Sequence, residues 1–78
     1  MEEFMIIYKE LNEKYNKHRL RKEELAKELG VSVSIINQRL ALGINLPEYQ
    51  KGEGRNAVVY FTTFAIAKYL SKTIKVYN

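Results

Sequence analysis

Little in this chain can do covalent or metal chemistry. It holds one histidine, His18, no cysteine and no aspartate, so every acidic side chain is a Glu. A zinc site or a nucleophile–base–carboxylate arrangement needs several converging ligands, and His18 has no candidate partners. No metal, no cofactor and no enzymatic activity are expected. What the sequence does offer is neutral hydrogen-bonding groups at helical spacing: Ser34, Asn37 and Gln38, with Val33 beside them and no acid between. Asn and Gln amides pair bidentately with an adenine edge, and Val33 suits a thymine methyl. Around them stand Arg19, Arg21, Lys22, Ser32, Arg39, Lys51 and Arg55. Groups of this kind contact phosphates, which positions a protein without specifying sequence. The expected partner is double-stranded DNA, with no small-molecule substrate.

These residues need elements to hold them. Phe4, Ile7, Tyr8, Leu11 and Tyr15 recur at three- and four-residue steps, which predicts a helix over 3–17. Leu25, Ala26 and Leu29 share one face of a second helix over 22–29. Glu23 and Glu24 fall in its first turn, and Gly30 stands where a left-handed C-cap belongs. Ser32 is an N-cap for a third helix that runs to Leu42 and is closed by Gly43. The residue before a proline avoids the helical region, so Asn45-Leu46-Pro47 is expected to be extended. Tyr49–Lys51 and Ala57–Phe61 flank a tip, 52–56, that carries Gly52 and Gly54, and this predicts a β-hairpin. Thr62 or Thr63 caps a last helix from Phe64 to Lys72, with Ile66, Tyr69 and Leu70 inward. Residues 74–77 alternate as a short strand or an ordered tail. The sharpest local signal is the helix-turn-helix between Lys22 and Leu42. Ala26 is small enough for close helix crossing, Gly30 makes the turn, and Leu25, Leu29, Val31 and Ile36 are the inward set.

Seventy-eight residues with an apolar share of 46% are one small domain. Residues 1–16 carry two Lys and four Glu, whereas residues 17–78 carry eleven Lys and Arg against five Glu. A basic body behind an acidic first segment points to a polyanion partner. The run Phe4–Tyr8 falls far short of the roughly 20 apolar residues that span a bilayer, and Glu2 and Glu3 stand where a signal peptide would be positive. The expected setting is therefore a reducing cytoplasm, with no membrane partner. Base stacking needs an exposed aromatic; of the tyrosines, Tyr49 and Tyr77 are the ones left free for it. The apolar stripe from Phe4 to Tyr15 has two open readings, core against the motif helices or a face for homodimer formation.

Glu23-Glu24-Leu25-Ala26, Leu29-Gly30-Val31-Ser32, Leu46-Pro47, Gly54-Arg55, Val58-Val59-Tyr60 and Ile66-Ala67-Lys68-Tyr69-Leu70 follow one another in a familiar order. The set, spanning about residues 20–71, resembles the excisionase branch of the MerR-like winged-helix group. That resemblance implies a mostly α fold with a small β-hairpin: a winged helix-turn-helix core over 20–72, an additional N-terminal helix within 1–19 and a tail at 73–78. It implies sequence-specific DNA binding by a small transcriptional regulator or excisionase-like factor of phage or mobile-element type. The recognition helix would lie in the major groove, and the wing, with Arg55, on the adjacent backbone or minor groove. Three features depart from the family's pattern: Arg21 stands where Ser or Thr usually caps the first motif helix, the stretch from Gly30 to Pro47 is about one residue longer than typical, and the N-terminal helix over 3–17 is additional. Within the helix-turn-helix itself, Arg39 takes a late position that is usually apolar. Two other readings stand beside this one. The chain is alternatively a protein-interaction module with its acidic-apolar N-terminal helix as contact surface, or a phage DNA-packaging small-subunit domain.

Overall fold

The computed structural model describes residues 2–52 and 58–73. Along the chain run α1 (Glu2–Tyr15), β1 (Arg19–Arg21), α2 (Lys22–Leu29), α3 (Val33–Leu42), β2 (Gln50–Lys51), β3 (Val59–Thr62) and α4 (Thr63–Thr73). The fold is mostly helical with a small antiparallel sheet, ordered β1-β3-β2. β2 and β3 are the expected hairpin arms. β1 is a correction, because Arg19-Leu20-Arg21 reads as a basic connector in sequence. Its cause is non-local: Leu20 lies opposite Phe61 and both are fully buried. One apolar residue between two arginines makes a strand once β3 supplies the cross-strand partner.

The helix boundaries follow from their caps. α1 ends two residues earlier than its periodicity predicts, because Asn16 turns left-handed at φ 55° and donates its N–H to the Asn12 carbonyl at 2.8 Å. Asn tolerates that conformation better than most residues. At the start of α2, the Arg21 N–H donates to the Glu24 carboxylate at 2.8 Å, so a backbone donor is satisfied without a Ser or Thr cap. α2 closes at Gly30, φ 72°. The N–H groups of Gly30 and Val31 bond the Lys27 and Ala26 carbonyls at 3.3 and 3.0 Å, a Schellman closure. Ser32 Oγ accepts from the Ile35 N–H at 3.2 Å and starts α3, which ends at Gly43, φ 70°. Thr62 is the cap of α4, its Oγ1 accepting from the Ala65 N–H at 3.0 Å. Thr63 is buried instead and donates to Asn12 Oδ1 at 2.7 Å. Asn45 departs from the extended expectation, with φ 55°. Its carbonyl accepts from Tyr69 OH at 3.1 Å and Arg39 Nη1 at 3.4 Å, so two side chains hold the turn.

The core joins Leu11, Leu20, Leu25, Ala26, Ile36, Phe61, Ile66 and Ala67, which come from all four helices and two strands. α1 is therefore part of the core rather than an appendage to it. Its stripe packs mainly along α4. The Phe4 and Tyr8 rings meet Phe64 edge-on at 5.2 and 5.7 Å. At the other end, Tyr15 OH and Lys14 Nζ both donate to Glu28 of α2. The hairpin tip with Arg55, and the alternating segment 74–77, lie outside the described residues. Among the described residues no helix is long and apolar enough to cross a membrane.

Candidate nucleic-acid interface

α3 carries no acidic residue, and its only charge is Arg39. Ile36 is fully buried and Leu40 packs against the core, so the opposite side turns outward with Ser34, Asn37, Gln38 and Ala41 all exposed. Three of the four residues expected to read bases thus share one open face. Val33 does not join them as expected: it is half-buried and packs on the core cluster. A single apolar side chain next to Ser34 reads equally well as groove contact or core, and the fold uses it as core.

The cations divide into separate groups. Lys22, at the start of α2, donates from Nζ to Asn37 Oδ1 at 2.9 Å, which brings a positive charge to the rim of the α3 face. Lys51 is exposed on β2, at the edge of the sheet. Ser32 spends its hydroxyl on the cap of α3. Arg39 is half-buried and reaches back to the Asn45 carbonyl, which frees Leu40 for the inward place. Arg19 and Arg21 flank buried Leu20 and so project from the outer face of the sheet, away from the core. Arg55 lies outside the described residues. The expected phosphate-binding set is thus split: Lys22 touches the α3 face, Arg19 and Arg21 occupy the sheet face, and Ser32 and Arg39 serve the fold.

Two acids of α2, Glu24 and Glu28, are paired within the chain. Burial disfavours the Glu24 carboxylate, but its ion pair with Lys17 at 2.7 Å and the Arg21 N–H outweigh that cost and hold it below the usual carboxyl range. Glu28 is likewise opposed by burial and held low by Lys14 and Tyr15. The Tyr15 hydroxyl is pushed up to about 12 by burial and then by the Glu28 charge it donates to.

Tyr49, expected to be free for stacking, is exposed, with its ring centroid 5.8 Å from that of Phe61. Tyr77 lies outside the described residues. The aromatic that sequence reasoning missed is Tyr60, with Arg19 over its ring. Only the pairing of β1 with β3 reveals it. In comparisons with known proteins no family model matches the chain, and no curated protein or solved structure is significantly similar to it.

Proposed function

We propose that the chain is a winged helix-turn-helix protein that binds duplex DNA without catalysis, as a small transcriptional regulator or excisionase-like factor. In this reading α3 lies in the major groove, and the β2–β3 hairpin meets the adjacent backbone or minor groove. The observation that carries it is the acid-free exposed face of α3, where Ser34, Asn37 and Gln38 stand together with Lys22 hydrogen-bonded at the rim. The major groove admits an α-helix and presents paired donors and acceptors. Asn and Gln match those pairs, and a nearby ammonium suits the flanking phosphates. The hairpin that follows α3 is what the excisionase and MerR-like resemblance leads one to expect, and it supports the same reading.

The experiment is fluorescence anisotropy of a labelled random-sequence duplex titrated with protein at several salt concentrations. Micromolar or tighter binding at low salt is expected. If about five phosphates are neutralised, log K against log salt should fall with a slope of about −4 to −5. A flat response, or no binding at low salt, would instead favour a protein-contact role. That rival draws on Met5 and Ile6 of α1, both 57% exposed.

A further inference from the structure

The outer face of the sheet is chemically unlike the face of α3. Because Leu20 and Phe61 pair on the buried side, the neighbouring pairs Arg21–Tyr60 and Arg19–Thr62 fall on the other side, and Gln50 pairs with Tyr60 from β2. Arg19 lies diagonally across from Tyr60, with its guanidinium carbon 4.9 Å from the ring centroid. Lys17, Arg19, Leu20, Arg21, Val58 and Tyr60 line an open groove of about 360 Å³. That is the small end of ligand clefts, about 300–1,000 Å³. Val58 is 42% exposed at its edge. Among the described residues neither Arg19 nor Arg21 forms an ion pair, whereas the nearby Glu24 is already paired with Lys17.

From this juxtaposition we propose that the groove is a second nucleic-acid site, which takes an unpaired nucleotide of single-stranded DNA. The base stacks on the Tyr60–Arg19 pair beside Val58, and a flanking phosphate meets Arg21. The cationic rim fits a polyanion, and the stacked aromatic decides which kind. In a duplex the faces of the bases are covered by their neighbours, so a tyrosine with an arginine plane over it has nothing to stack on. A single strand offers its bases freely, and such strands are bound by aromatic platforms within basic grooves. The groove shares none of its lining residues with the Asn37–Gln38 face, so it goes beyond the duplex reading and does not depend on it.

The test uses anisotropy of a labelled ten-thymidine oligonucleotide at low salt. The proteins are wild type, Tyr60→Phe, Tyr60→Leu, Arg19→Gln and Asn37→Ala, each checked for an unchanged thermal transition. Tyr60→Phe keeps the ring and should bind like wild type. Tyr60→Leu should bind about five-fold or more weakly, the loss expected for one stacked base. Arg19→Gln should also weaken binding, and Asn37→Ala should not. If Tyr60→Leu alters folding, Arg19→Gln on the exposed face carries the test alone. No binding of the oligonucleotide by wild type, or equal binding by wild type and Arg19→Gln, would overturn the proposal. So would full displacement of the oligonucleotide by an equal charge of polyglutamate, which would reduce the groove to a general anion surface. Loss of duplex binding with oligonucleotide binding intact would sink the α3 reading alone.

Discussion

Asn37 and Gln38 are adjacent on one exposed face, but they are held differently. Asn37 Oδ1 accepts from Lys22 Nζ at 2.9 Å, which orients its amide; Gln38 has no side-chain partner among the described residues. On the DNA reading both contact base edges and Lys22 contacts the backbone. Asn37→Ala and Gln38→Ala should each lower the ratio of specific to random duplex affinity by about 1–3 kcal/mol. Lys22→Ala should weaken both affinities by similar factors. Competition anisotropy with a selected duplex and a random pool measures both, and unchanged preference in both amide variants would remove Asn37 and Gln38 from the reading face. A second expectation concerns Glu24, Glu28 and Tyr15. Both carboxyls are held below their ordinary value of 4.5, so the stability they add is present above that pH and is lost as pH falls below it. Tyr15 is raised from 10.0 to about 12, so its contribution is full below pH 10 and is lost as pH rises through the folded value. Urea midpoints measured across pH should therefore decline at both ends. Glu28→Gln should make the acid decline shallower and Tyr15→Phe should shrink the alkaline one; unchanged profiles would contradict the Lys14–Glu28–Tyr15 cluster.

At the scale of the elements, α2 and α3 depend on a tight turn and a small buried residue. Ala26 is 4% exposed and its carbonyl receives the Val31 N–H. Ala26→Leu should overpack the core at a cost of about 1–3 kcal/mol and lower the melting temperature and DNA affinity together. Ala41→Leu, on exposed surface, should change stability little. A methyl group at Gly30 would meet no atom within 4 Å, so Gly30→Ala tests the φ of 72° alone and should cost about 1 kcal/mol. A neutral Ala26→Leu would mean that the two helices do not pack there. These two helices were legible because their signals are local: Gly30, Ser32 and Gly43 mark their ends within a few residues. The periodicity of α1 and α4 and the glycine-bearing hairpin were legible for the same reason, whereas the non-local features were not. β1 exists through Phe61, forty-one residues after Leu20 in sequence. Val33 packs on the core cluster, a placement set by tertiary packing rather than by its neighbours in sequence. The Asn45 turn is held by Tyr69 of α4. Asn16 had a visible signal, the tolerance of Asn for positive φ, but helical periodicity masked it.

For the whole molecule, the segregation of charge has a structural counterpart. The acidic first segment forms α1, whose apolar stripe is spent on α4 through Phe4, Tyr8 and Phe64. Of the described cations that follow Lys17, Arg19, Arg21, Lys22, Lys27 and Lys51 lie on α2 and the sheet, Arg39 on α3, and Lys68 and Lys72 on α4. On the DNA reading the duplex should meet the side of the molecule that carries α3 and avoid acidic α1. The measurement that tests this most directly is a titration of ¹⁵N-labelled protein with a short duplex, followed by amide and side-chain chemical shifts. The predicted result is perturbation concentrated at Lys22, Ser34, Asn37, Gln38 and Ala41, including the side-chain amides of Asn37 and Gln38, with Glu2–Glu13 unmoved. Perturbation centred on Met5, Ile6 and Phe64, or none at any of the α3 positions at low salt, would contradict the account.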